Sequence, residues 1–436
     1  MSTDSRIQEK HPKQPRSITF EHRALFVTVL LVILYLFTEA VSLSGLWLTG
    51  GLPLKRHKQT RLQLSRGVES PTQRLMPEHE VLHPYLGFVT DPNLVPGVNE
   101  FGFSNTGSIC SKRSSDSFII GILGGSVAEQ FCTDEADSLQ KIIQEHMPYR
   151  DVRLVCMAQA GYKQPQQLIT LAYFLALGAE FDVVINIDGF NEVALPLLDV
   201  VETNQNTNTF YAYPRRWHFR VADVFDPKLV SVVARIRTIR ETRRSWARLF
   251  NSPVVGDLPT TNLVWLCRER WLSAQIDADQ LTLLKTKTDD PRYCETGPIR
   301  KFQPEEQLLC KAVELWRRCS LQIANLCRAN DVRYHHVLQP NLHVDGSKPM
   351  GNEERETTRV SNEGFVYRRA VQKGYPLLIQ AGQELAKSGV SFHDLTMVYS
   401  QIHQPIYIDC CCHYNTFGNM ILSRAIAEKL IPDISP

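Results

Sequence analysis

Three residues in this chain have the types and surroundings that nucleophilic chemistry requires. The apolar run Ile119-Ile120-Gly121-Ile122-Leu123 stops at Gly124-Gly125-Ser126, and Asp409-Cys410-Cys411-Cys412-His413 follows near the far end of the chain. A serine hydroxyl is a weak nucleophile. An imidazole must take its proton, and a carboxylate must orient that imidazole and balance its charge. Ser126, His413 and Asp409 are therefore a candidate set for acyl chemistry.

Residues so far apart in sequence need a framework that brings them together. Apolar runs at 118–123, 152–157, 182–187, 331–338 and 390–393 predict buried strands. Helix-period spacing between them predicts helices at 136–146, 165–177, 304–329, 365–387 and 418–430. This alternation points to an α/β fold, with a parallel sheet covered on both faces. In such sheets ligands bind at the carboxyl ends of the strands. Ser126 follows the first strand, Gly161 the second, and Gly189-Phe190-Asn191-Glu192 the third, so all share one rim. The backbone N–H groups of Ser126 and Gly161 and the Asn191 amide are expected to bind an oxyanion. One such donor is typically worth about 10²–10³ in rate. Residues 197–300 break the rhythm and are expected to form a mostly helical insertion, with helices at 228–249 and 262–285.

These blocks resemble, in order, those of the SGNH/GDSL hydrolase superfamily. Ser126 stands in Gly124-Gly125-Ser126, Gly161 in Ala158-Gln159-Ala160-Gly161-Tyr162, Asn191 in Gly189-Phe190-Asn191-Glu192, and His413 after Asp409. The resemblance covers roughly 118–430 without the insertion. It implies a flavodoxin-like three-layer α/β/α sandwich and a cofactor-free serine esterase. The implied substrates are small acyl esters, O-acetyl groups on a surface glycan among them. The alternatives are an O-acyltransferase modifying such a glycan and a catalytically silent binding or scaffold protein. The chain departs from the family in three places. Block one has Gly125 where many members have aspartate, and block three ends in Glu192 rather than aspartate. Three residues rather than two separate Asp409 from His413, and one extra residue can rotate the carboxylate away from the imidazole.

Composition bounds the rest. A formal net charge of +2 over 436 residues, with no recognised module, argues against nucleic acid as a partner. Residues 24–48 form a long apolar stretch containing one charge, Glu39, and are expected to anchor the chain in a membrane. Basic residues flank it on both sides, so the positive-inside rule gives a tie. The expectation is a short polar tail at 1–23 and an extracytoplasmic large domain. Residues 49–117 are expected to be a juxtamembrane linker and lead-in, and 118–436 the α/β domain. Cys410-Cys411-Cys412-His413 lacks the spaced ligand pairs of a metal site, and none is expected. Residues 228–249 read as a basic amphipathic helix with a solvated or membrane-facing stripe. His335 and His336 should point to opposite faces of a strand and serve structure.

Overall fold

The computed structural model describes residues 20–51, 54–65, 80–104, 108–133, 139–203, 227–251, 256–285, 305–358 and 362–434. They divide into two compact units: Met1–Ser65 with Glu241–Ala274, and Arg66–Arg240 with Gln275–Pro436.

The larger unit is built on a five-stranded parallel sheet. After a short antiparallel hairpin, β1 (Glu80–His83) and β2 (Gly87–Thr90), the sheet strands follow. They are β3 (Ser117–Gly124), β4 (Asp151–Cys156), β5 (Val183–Asp188), β6 (Arg333–Leu338) and β7 (Ser391–Asp394). Their spatial order is β4-β3-β5-β6-β7, so the chain starts inside the sheet and reverses direction once, between β3 and β5. Such a reversal leaves a crevice at the carboxyl ends of the two strands. Every residue of β3 and β5 is buried, Asn186 and Asp188 of β5 included, so neither strand shows an exposed face: strands covered on both faces do not alternate.

Helices α3 (Ser126–Thr133), α4 (Leu139–His146), α5 (Gln166–Ala176) and α6 (Phe190–Thr203) follow the first three sheet strands. Helix α9 (Glu305–Ala329) precedes β6, a short α10 (Asn352–Thr357) and a long α11 (Asn362–Lys387) precede β7, and α12 (Thr416–Ile434) ends the chain. Helices α6, α9 and α11 pack on one another, while α4 packs with α12. The α/β class and the parallel sheet thus match the expectation from sequence. Helix α6 runs to Thr203, past the expected start of the insertion at 197, and residues 204–226, 252–255 and 286–300 of that insertion lie outside the described residues.

The smaller unit contains α1 (Phe20–Leu48), α2 (Leu54–Ser65), the end of α7 (Pro227–Phe250) and the start of α8 (Pro259–Lys285). Helix α1 starts four residues before the predicted anchor, while residues 1–19 of the polar tail lie outside the described residues. Within His22–Leu48 the most apolar 18 residues have a mean hydropathy of 2.4, and the helix is long and apolar enough to cross a membrane. The helix changes character part-way along. Leu25 to Phe37 are exposed, whereas Ser42 and Leu46 are buried against protein. Glu39 accepts the Thr260 N–H at 2.9 Å, Ser42 and Thr260 share a hydroxyl hydrogen bond at 2.9 Å, and Gly45 faces Leu263. The one charge of the apolar stretch therefore caps the start of α8.

Part of the expected linker is helical as well. In α2 the buried Arg61 donates to Asn262 Oδ1 at 2.6 Å and to the Gly256 carbonyl at 2.7 Å, and stacks on Trp265. Leu64 joins Leu46, Ala247, Trp265 and Leu266 in a small core. The basic stripe of α7 is corrected in part, since Arg237 and Arg248 are exposed as expected. Arg240 and Arg243 are buried, Arg243 pairs with Glu269, and Arg235 pairs with Asp279. Acidic residues of α8 take up charges that the sequence alone assigned to solvent or a membrane surface.

Candidate active site

Ser126 is the first residue of α3, two residues past the end of β3. The turn is tight because two glycines precede it. Gly124 has φ +150°, and a Cβ there would lie 2.2 Å from the Ile187 carbonyl of β5. At Gly125 a Cβ would lie 2.3 Å from Asn191 Nδ2. The missing side chain at 125 is the space the Asn191 carboxamide fills. The backbone N–H groups of the first turn of α3 have no intrahelical acceptor, and the helix dipole adds positive potential there.

Gly161 and Asn191 approach the same point. Asn191, in the first turn of α6, donates one amide hydrogen to the Tyr162 carbonyl at 2.7 Å, which leaves its second free to act. Gly161 lies between Tyr162 and Ala160 and has φ +82°. The Ala160 N–H is held by Glu129 Oε2 at 2.9 Å, one helical turn beyond Ser126. Beneath these loops, buried Glu192 accepts the N–H of Gly189 at 2.9 Å and of Gln164 at 3.2 Å, so one carboxyl fastens two of the three rim segments. Desolvation and the charge of Asp188 push its pKa up to about 8, against the pull of those N–H groups.

His413 reaches this rim from the loop that joins β7 to α12. Its Nε2 lies 2.7 Å from Ser126 Oγ, and its Nδ1 is hydrogen-bonded to Asp409 Oδ2. With Nδ1–H directed at the carboxylate, the neutral ring offers Nε2 as acceptor of the Ser126 O–H. Asp409 Oδ1 accepts the N–H groups of Cys411 at 2.9 Å, Cys412 at 3.0 Å and His413 at 3.3 Å. The extra residue before His413 is thus absorbed in a turn that folds the carboxylate back onto the ring, and does not rotate it away.

Electrostatics couple the pair. Burial disfavours the charged imidazolium, but the Cys412 sulfur, the Asp409 hydrogen bond and charge, and Glu129 outweigh it and raise the His413 pKa to about 9. For Asp409, burial works upward, while the bond to His413, its charge and the N–H groups of Cys411 and His413 hold the pKa below its ordinary value.

The loop carrying Asp409 and His413 has no strand or helix; its only ladder contact is an isolated bridge, Tyr407 to Tyr414. Side chains from elsewhere hold it. Glu354 of α10 accepts the N–H of Ile406 at 2.8 Å and of Tyr407 at 2.7 Å, and its other oxygen takes Lys348 Nζ at 2.7 Å with both side chains fully buried. Asn341 donates to the Cys411 carbonyl at 3.0 Å, His343 Nε2 lies 2.9 Å from the Cys410 carbonyl, and the Tyr414 hydroxyl donates to Pro340 at 2.6 Å. The sequence points to none of these supports except the Gln339-Pro340-Asn341 turn, whose place at a strand end is the one available signal.

The cysteines do not compete for the chemistry. Cys411 Sγ, Cys412 Sγ and a His413 ring nitrogen lie within 4.8 Å of one another, a possible grouping for a metal. Both His413 nitrogens are already engaged, however, so a metal there would have to displace Asp409 or Ser126. No disulfide links two described cysteines. His335 and His336 serve structure on opposite faces: His336 bonds Asp188 at 2.8 Å and Ser320 at 2.8 Å, and His335 stacks on His393. In comparisons with known proteins, no family model matches this chain and no curated protein matches its sequence.

Proposed function

We propose that this chain is a membrane-anchored serine esterase of the SGNH type, hydrolysing small acyl esters, with α1 as its anchor and the α/β unit on the extracytoplasmic side. The observation that carries the reading is the continuous line from Asp409 through His413 to Ser126 Oγ, with the Asn191 amide beside it; this reading assigns the N–H groups of Ser126 and Gly161 as the further donors. His413 Nε2 takes the hydroxyl proton as Ser126 Oγ bonds to the ester carbonyl carbon. The carbonyl oxygen becomes an oxyanion, stabilised by those donors. As the tetrahedral adduct collapses, the bond to the alcohol oxygen breaks, and His413 returns its proton to the leaving alcohol. Water then attacks the Ser126 acyl ester, again losing a proton to Nε2, and the acid departs as Ser126 recovers its hydrogen.

A fluorophosphonate probe and a short-chain p-nitrophenyl ester test this together. Wild-type protein should be labelled at Ser126 and release p-nitrophenol, and Ser126→Ala should do neither while keeping its circular dichroism. Folded wild-type protein that takes no label and turns over no ester would overturn the proposal.

A further inference from the structure

The loop that carries Asp409 and His413 also presents a second set of donor atoms. Cys411 Sγ, Cys412 Sγ and a ring nitrogen of His413 lie within 4.8 Å of one another, and the two sulfurs are 3.2 Å apart. Bonds of ~2.3 Å from zinc to sulfur and ~2.0 Å to nitrogen, at tetrahedral angles, set donor atoms ~3.5–3.8 Å apart. The three side chains thus stand close to the corners of one tetrahedral face.

Three consecutive residues can do this because of the turn they form. Asp409 Oδ1 accepts the N–H groups of Cys411, Cys412 and His413, which curls the backbone around the carboxylate. Donors gathered this way need none of the spaced ligand pairs that a sequence pattern would show. The surroundings suit a cation as well. Asp409 and Glu129 both place negative charge at His413. Two thiolates neutralise a divalent ion, and thiolate with imidazole is a donor set that favours zinc over magnesium or calcium. Cys411 and His413 are half-buried, so solvent ions can reach them, while Cys412 is buried.

We infer that Cys411, Cys412 and His413 form an inhibitory site for a thiophilic divalent cation such as zinc. The two thiols lose their protons to water and bind as thiolates, a ring nitrogen of His413 makes the third bond, and water completes the tetrahedron. His413 Nδ1 is bonded to Asp409 and Nε2 to Ser126, so a metal on either nitrogen breaks the line between them. Occupancy leaves Ser126 without an oriented base. The loss of activity rests on the reading of Ser126 as nucleophile; cation binding does not.

Cobalt(II) occupies zinc sites and shows a sulfur-to-metal charge-transfer band, so it reads binding without any substrate. Full-length protein in detergent, reduced and freed of metal by a chelator, should develop this band on titration with Co²⁺. Zn²⁺ should abolish the band and Mg²⁺ should not. Cys411→Ser, Cys412→Ser and His413→Asn should each weaken Co²⁺ binding about a hundredfold. In parallel, Zn²⁺ should block fluorophosphonate labelling of Ser126, and EDTA should restore it. Circular dichroism checks that the variants are folded, and Cys411→Ala and Cys412→Ala stand in for a serine variant that is not. An absent band, or one equally strong in the folded cysteine variants, would overturn the inference. Unchanged Co²⁺ affinity in His413→Asn, or Zn²⁺-saturated protein that still takes the probe, would overturn it too. If metal-free wild type takes no probe, the esterase reading fails instead, and the cobalt titration alone decides whether the cation site exists.

Discussion

The two arms of the candidate site are held by different means. Ser126 stands where β3 passes into α3, so hydrogen-bonded backbone on either side and two glycines between them set its position. Asp409 and His413 stand in a loop without regular structure, tied down by Glu354, Asn341, His343 and Tyr414. A nucleophile can be placed by local chain geometry, whereas its distant base has to be fastened by buried polar groups. Changes near Ser126 should therefore alter rate with little effect on stability, and changes around the loop should alter both.

The largest effect on rate is expected at the carboxylate itself. Asp409→Asn keeps the shape of the side chain but no longer favours the Nδ1–H tautomer, and kcat for p-nitrophenyl acetate should fall about 10⁴-fold. A loss below tenfold would mean that something else orients His413. Next comes the buried ion pair. Glu354→Gln leaves Lys348 charged and uncompensated in the interior, so urea denaturation should show a loss of about 3–5 kcal/mol, with activity falling alongside. Unchanged stability would break the contrast between the arms.

Gly125→Ala probes the other arm. Its new Cβ meets Asn191 Nδ2, and displacing that amide should cost about 10²–10³ in kcat while the urea midpoint stays in place. A matching loss of stability would show that this turn, too, depends on side-chain packing. The mildest perturbation is pH. In the proposed mechanism the neutral imidazole is the base, so kcat/KM should rise with pH, about tenfold per unit, and level off above about 9. Because the folded-state pKa of His413 lies above its ordinary value of about 6.5, its contribution to stability is complete below that value and is lost as pH rises through about 9. Activity and this part of the stability thus run in opposite directions. A rate profile that is flat from neutral pH upward would disprove the raised pKa.

The contrast also explains what sequence could reveal. Ser126, Gly161 and Asn191 each follow a strand that reads as a largely apolar run, fully buried in β3 and β5 and buried at its carboxyl end in β4, so the rim is legible from one sequence. Helix α3 is not, because eight residues containing Glu129 and Gln130 are too short to show a period. Asp409 and His413 are legible as residue types but not as a geometry: only the gathering of three N–H groups by one carboxylate oxygen shows how the longer spacing closes. Nothing in the sequence ties position 354 to 406, since the bond runs from a side chain to backbone between segments without pattern. Helix α2 looks like a linker because it buries polar residues: Arg61, which bonds Asn262 and the Gly256 carbonyl, and His57, which bonds the Gly51 carbonyl.

The acidic residue two-thirds of the way along α1 has a practical outcome for anyone wishing to work with a soluble form. Trimming the chain at residue 48 would remove Glu39, Ser42 and Leu46 together, uncapping the start of α8 and stripping apolar cover from Leu263 and Leu266. The freed protein would carry a raw, sticky surface where α1 had been, so the end of α1 belongs to the folded unit and is not a detachable lead.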